Sequence, residues 1–180
     1  GGSLSHADPA AELPMMSLLL DAQLDIRSGA GRRTVAARDF FLGALATSLE
    51  GDDMIVEIEV PKFFSRRGWA FEEVARRSGD FALACVAVTT GNEDGKFVDV
   101  RIGMTGIGET PVRADAAEAL LEGQTFSDEL VAEAINVIRA SVEPNSDLHA
   151  SSDYRRHLVG ILAERAIRDA WRRAMEGDRA

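Results

Sequence analysis

The chain has 180 residues, 46% of them hydrophobic, and carries thirty acidic against twenty basic side chains for a net charge of −10. That length buries a core in one domain or two small ones, and the charge opposes binding to nucleic acid or to an anionic membrane face. No apolar run reaches the roughly 18 residues of a membrane span and no secretion signal opens the chain, so a cytoplasmic address is expected.

The chain begins Gly-Gly-Ser-Leu-Ser-His-Ala-Asp-Pro-Ala-Ala-Glu-Leu-Pro. A glycine pair lets backbone amides approach a ligand because no Cβ intervenes, and it equally suits a disordered chain end. Asp8-Pro9 is expected to cap a helix through Ala10, Ala11, Glu12 and Leu13, with the glycines just ahead of its positive end. Residues 10–20 read as helical, with a break or kink at Pro14.

Ala22 to Arg27 alternates with period two, Ser28 to Gly31 reads as a turn, and Arg32 to Ala36 as the hairpin mate. Asp39 to Gly43 reads as a short helical turn ended by glycine, and Met54 to Val60 as a strand closed by Pro61. Trp69 to Ala75, Phe81 to Thr90 and Phe97 to Thr105 read as antiparallel strands, with Gly91 to Gly95 as a turn.

Helical spacing then takes over at Ala114 to Glu122, Ser127 to Val142 and about Ser152 to Met175. Core stripes are expected at Leu130, Val131, Ala134, Ile135, Ile138 and Val142, and at Tyr154, Leu158, Ile161, Leu162 and Trp171. Strands followed by helices predict an α+β fold, with a small antiparallel sheet packed against a helix group.

The chemistry-bearing residues are sparse. Cys85, the single cysteine, sits in an apolar run and reads as a buried hydrophobe, and one thiol cannot hold an iron–sulfur cluster. His6, His149 and His157 lack zinc-ligand spacing, no Gly-x-Ser-x-Gly elbow occurs, and Gly106-Ile-Gly108 reads as a turn. Glu57 and Glu59 share a strand face, which suits a carboxylate pair or, more simply, a solvated surface. Arg66-Arg67 and Arg76-Arg77 are basic spots suited to surface or interface ion pairs or to a phosphate.

Four segments together resemble the FAD-binding medium subunit of the molybdenum hydroxylases, of the aerobic carbon monoxide dehydrogenase type. They are the opening Gly1 to Pro14, then Arg32 to Leu49 leading into Ile-Val-Glu-Ile-Glu-Val-Pro, then Ala70 to Ala82, then Asp147 to Leu158. The resemblance implies that residues 1–61 are a second FAD-binding subdomain of mixed strands and short helices, and that 62–180 are the family's C-terminal α+β domain.

It further implies that Gly1, Gly2 and Ser3 touch the FAD diphosphate through backbone amides, that Glu12 takes the place of an acidic cofactor contact, and that Ile55 lies beside the isoalloxazine. Glu72 stands where related eukaryotic enzymes carry a lysine, so that contact is not carried over. The family's small iron–sulfur subunit and large molybdopterin subunit are the implied partners. FAD would receive electrons from the clusters and pass them to an external acceptor, while the large subunit selects the substrate.

Family members carry a further segment ahead of this loop, whose Ala-Gly-Gly stretch grips the other side of the diphosphate, and it does not occur in this sequence. Losing several charge-assisted hydrogen bonds, each worth about 1.5 to 3 kcal/mol, leads to the expectation that the chain alone binds FAD weakly or not at all. The alternative is a cofactor-free assembly or interaction module derived from the C-terminal domain.

Overall fold

In the computed structural model, which describes residues 1–62, 67–77 and 79–177, the chain opens with a short helix, α1 (Gly2–His6), followed by α2 (Glu12–Leu19). The glycine pair thus starts α1 itself and does not precede a helix at Asp8. Asp8 instead holds a local turn, its Oδ1 accepting from the Ala10 amide at 2.8 Å. Pro14 does not break α2: it is the third helical residue, where a backbone N–H has no intrahelical partner to lose.

A hairpin follows, β1 (Gln23–Ser28) and β2 (Gly31–Ala36), closed by Gly29-Ala30. The expected helical turn at 39–43 lies earlier, as α3 (Ala37–Phe40), and its second half is strand: β3 (Phe41–Gly43) pairs with β4 (Ala46–Thr47). Burial decides this, because Ala37 and Phe40 fill the core beside Phe41, with the two phenyl rings edge to face at 5.1 Å. β5 (Met54–Glu59) completes a sheet of order β2-β1-β5. Leu24 and Ile26 of β1 bury against Leu4, Ala7, Phe40 and Phe41. On the outer face Asp25 accepts from Thr34 and Arg32.

The second sheet has order β6-β7-β8-β9, from β6 (Gly68–Ala75), β7 (Ala82–Glu93), β8 (Lys96–Thr105) and β9 (Val112–Arg113). The expected five-residue turn shrinks to Asp94-Gly95, both at positive φ, and β7 runs on to Glu93. β7 is apolar from Ala82 to Val88 because that part is covered on both faces, by α2 on one side and by the last helix on the other.

The helix group comprises α4 (Asp115–Leu121), α5 (Asp128–Ser141) and α6 (Ser152–Gly177). Ser127 caps α5 by accepting from the Leu130 amide at 3.1 Å. The main core gathers Val86, Val88, Ile102 and Met104 of the sheet with Ile138, Leu162 and Ile167 of the helices, and Trp171 lies 4.3 Å from Phe97, ring to ring. Tyr154 departs from the expected stripe: it is exposed, and the buried position is its neighbour Arg155, whose guanidinium reaches backbone carbonyls below the helix.

α2 fastens the first part to the second. Met15 and Leu19 pack on Cys85 and Ala87, and a Cβ on Gly103 would meet both side chains at 3.2 Å. Asp21, just after α2, pairs with Arg101 at 2.7 Å and Arg113 at 3.0 Å. No helix among the described residues is long and apolar enough to cross a membrane.

Candidate functional site

Gly1, Gly2 and Ser3 lie together on the wall of a cavity of about 330 Å³, completed by Leu4, by Leu13, Met16 and Leu20, and by Ile58 and Val60. The site is polar at one edge, where α1 begins, and apolar elsewhere. Helices leave their first amides without intrahelical acceptors, and no side chain caps α1, so the first-turn N–H groups are available to a ligand.

Gly2 tests whether a phosphate group fits. It has helical backbone, where glycine costs about 1 kcal/mol relative to alanine, and beyond its chain neighbours and its own helix backbone no protein atom lies within 4 Å of the place its Cβ would occupy. Neither positive φ nor protein packing therefore calls for glycine. What the missing side chain leaves is open space beside the turn, the opening a close-approaching anion requires.

The other two expected site residues are placed differently. Ile55 turns its side chain into the first core, and its carbonyl oxygen is 3.8 Å from where a Cβ on Gly1 would lie. Its contact with the turn is thus through backbone, and Ile58 and Val60 supply the apolar wall. Glu12 does not line the cavity. It sits in the first turn of α2 within electrostatic reach of β6, where burial and then the Glu12 charge raise the Glu73 carboxyl above its usual range. Burial also pushes the Cys85 thiol far up, with Glu73, Glu12 and Glu72 adding to it, which makes Cys85 inert.

A larger cavity, about 660 Å³, borders the same N-terminal segment at Asp8, Pro9 and Ala10. Its charged lining is largely self-paired: Arg155 with Asp147 at 2.7 Å and Arg76 with Asp80 at 3.7 Å. Phe81 stands at its edge with 60% of its surface exposed. The sequence pattern gave no sign of this ring as a site residue, because Phe81 read as the first residue of a buried strand. Ile58 and Val60 were visible as alternating apolar positions, and their exposure is what marks them.

The remaining candidates reduce to structure. Glu57, Glu59 and Asp25 bring ligand atoms within 4.8 Å of one another, but Arg32 binds both Asp25 and Glu57, the latter at 3.1 Å. That is a paired surface, without the independent acid and base a hydrolase needs. Arg67 pairs with Asp99, and Arg66 lies outside the described residues.

Residues 1–63 match the FAD binding domain in molybdopterin dehydrogenase, and residues 69–170 match the CO dehydrogenase flavoprotein C-terminal domain. The carbon monoxide dehydrogenase medium chain of Hydrogenophaga pseudoflava is 35% identical over 96% of this chain and 60% of its own length. The nicotine 6-hydroxylase medium subunit of Paenarthrobacter nicotinovorans is 39% identical over 94% of this chain and 59% of its own length.

Among solved structures, a carbon monoxide dehydrogenase from Hydrogenophaga pseudoflava superimposes with a TM-score of 0.93 at 39% identity, covering 96% of this chain and 60% of that one. Quinoline 2-oxidoreductase from Pseudomonas putida 86 gives 0.90 at 36% identity, covering 97% and 61%. The fold is the one these structures share. The chain belongs to the CO dehydrogenase flavoprotein family, and it spans about 60% of the length of the curated relatives it matches.

Proposed function

We propose that this chain provides the flavin-holding part of a molybdenum hydroxylase, with residues 1–61 as a second FAD-binding subdomain and 62–180 as the C-terminal domain. The observation that carries the reading is that Gly1, Gly2 and Ser3 line a cavity, with open space where a Cβ on Gly2 would lie. Their amides would bind diphosphate oxygens, while Leu13, Ile58 and Val60 offer an apolar wall to a flat ring. Ile55 would contribute through its backbone, and Glu12 would act on the cofactor from the first turn of α2.

A dinucleotide has two ring systems, and the N-terminal segment borders two cavities. In the larger one the exposed Phe81 presents the kind of face on which an isoalloxazine stacks. When bound, FAD supplies the redox chemistry, and the protein's part is to orient it and tune its electronics. The buried, inert Cys85 fits this division, since iron–sulfur clusters would come from a small partner subunit and the molybdopterin from a large one. That the named relatives are medium chains or subunits supports a place in a heteromeric complex. A cytoplasmic setting and an external electron acceptor complete the reading.

The donors in this chain gather at one turn, so the chain on its own would bind FAD weakly or not at all. The test is to purify the chain with its partner subunits and record the flavin absorption band. Flavin in the assembled complex supports the reading; full assembly without flavin favours a cofactor-free assembly module.

A further inference from the structure

The loop that follows the cofactor turn is held by the C-terminal part of the chain. Arg155 of α6 is 7% exposed, and its Nη1 donates to the carbonyls of Leu83 and Gly106, each at 2.6 Å. Its Nη2 pairs with Asp147 at 2.7 Å. Gly106, thus gripped by its carbonyl, has φ +77°, and a Cβ there would meet the carbonyl oxygens of Ala82 and Leu83 at 3.0 and 3.1 Å. Only glycine fits this corner without strain.

The amide of Gly106 donates to the Pro9 carbonyl at 2.9 Å, and the fully buried Thr105 hydroxyl donates to the same oxygen at 2.8 Å. Pro9 is six residues beyond Ser3, and the intervening Ala7 carbonyl is held by the Leu45 amide at 3.1 Å. The loop after α1 is therefore anchored at two carbonyls, one of them entirely by the end of β8.

We propose that Arg155, Gly106 and Thr105 are positioning residues for the cofactor turn: a hydrogen-bonded relay from α6 through the end of β8 to Pro9 sets where Gly1 to Ser3 present their amides. This rests on the FAD reading above. Its consequence is that the C-terminal domain controls cofactor affinity without touching the diphosphate. The three links differ in kind. Arg155 supplies a rigid fork that lysine cannot copy, Gly106 supplies the corner, and Thr105 supplies a hydroxyl that valine lacks at nearly equal volume.

The test compares Thr105→Val with Thr105→Ser in the full chain, measuring backbone amide exchange, urea stability and, for the chain assembled with its partner subunits, FAD affinity by flavin fluorescence. Thr105→Val should speed exchange at Gly106 and at Ala10 and Ala11 beyond any change in global stability. It should weaken FAD binding about threefold to tenfold, the loss expected for one buried hydrogen bond. Thr105→Ser should restore both. Arg155→Lys should act in the same direction and more strongly where it folds. If wild type binds FAD and Thr105→Val binds it equally well, the relay is overturned while the cofactor reading stands. If wild type assembled with its partner subunits carries no flavin, the cofactor reading is overturned and the relay's role in binding with it. Unchanged exchange at Gly106 would show that the Pro9 contact positions nothing.

Discussion

Gly68 at the start of β6 packs directly on Ala170 of α6: a Cβ at residue 68 would fall 1.7 Å from the Ala170 carbonyl oxygen. The obstacle is helix backbone, which cannot rotate aside. Gly68→Ala should therefore push β6 off α6 and cost at least about 2 to 3 kcal/mol, the upper range for overpacking. Urea denaturation measures the loss, and a variant as stable as wild type would show that α6 has freedom to move.

Two ion pairs should behave very differently. Glu118 accepts from Arg113 through both carboxylate oxygens at 2.7 Å and from the Ile102 amide at 2.8 Å, and side-chain exposure of the pair is only 11% and 8%. Glu118→Gln removes the charge and leaves buried Arg113 with Asp21 as its counter-ion, so a cost of about 1.5 to 3 kcal/mol is expected. Arg38 and Asp115 also make two contacts, at 3.0 and 3.1 Å, but both are more than half exposed. Arg38→Ala should cost under about 1 kcal/mol and matter less as salt is raised. Equal costs in chemical denaturation would contradict this ranking.

Asp147 makes stability pH-dependent at the acid end. Its carboxylate accepts from the amides of Ala150 and His149 and from Arg155, which hold it at about 2, below its ordinary value. The folded state thus binds this proton less readily than the unfolded chain. The stabilisation is complete above the unfolded value of about 4 and declines as pH falls toward 2. Asp147→Asn should flatten stability across that window, as measured by denaturation between pH 2 and 5 (approximately). The side chain is about half exposed, so the amplitude should be small.

Glu73 has the opposite sign. Burial and the nearby Glu12 raise its carboxyl, so the folded state prefers it protonated, and stability is lost as pH rises through that raised value. Glu73→Gln should stabilise the protein at neutral pH by a small amount, under about 1 kcal/mol, with the gain fading in acid. A destabilised variant in thermal melts at pH 7 would mean that Glu73 has a favourable partner.

The helices α5 and α6 and the β7–β8 pair were readable from periodicity, because amphipathic spacing and burial coincide there. Where they diverge, reading the sequence fell short. Tyr154 occupies a stripe position but is exposed, and Arg155, a charged residue, fills the core position because two backbone carbonyls and Asp147 satisfy it. The one-turn α1 is too short to carry a period, so the glycine pair read as a loop. Of the site, the Gly1–Ser3 turn came from motif resemblance. Its walls come from α2 and β5, and the Pro9 anchor from a residue 96 positions away, and no local pattern encodes such contacts.

Gly2→Ala tests the central claim most directly, because beyond its chain neighbours and its own helix backbone the new methyl group meets no protein atom within 4 Å, and it lies in helical backbone. Its effect on the fold should be neutral or slightly stabilising, by up to about 1 kcal/mol. FAD titration of wild type and variant, each assembled with its partner subunits and followed by flavin fluorescence, should show binding by wild type and an affinity lower by about tenfold in the variant, as for a lost charge-assisted hydrogen bond. Equal FAD affinity in the two proteins, with the fold intact in both, would contradict a diphosphate site at this turn.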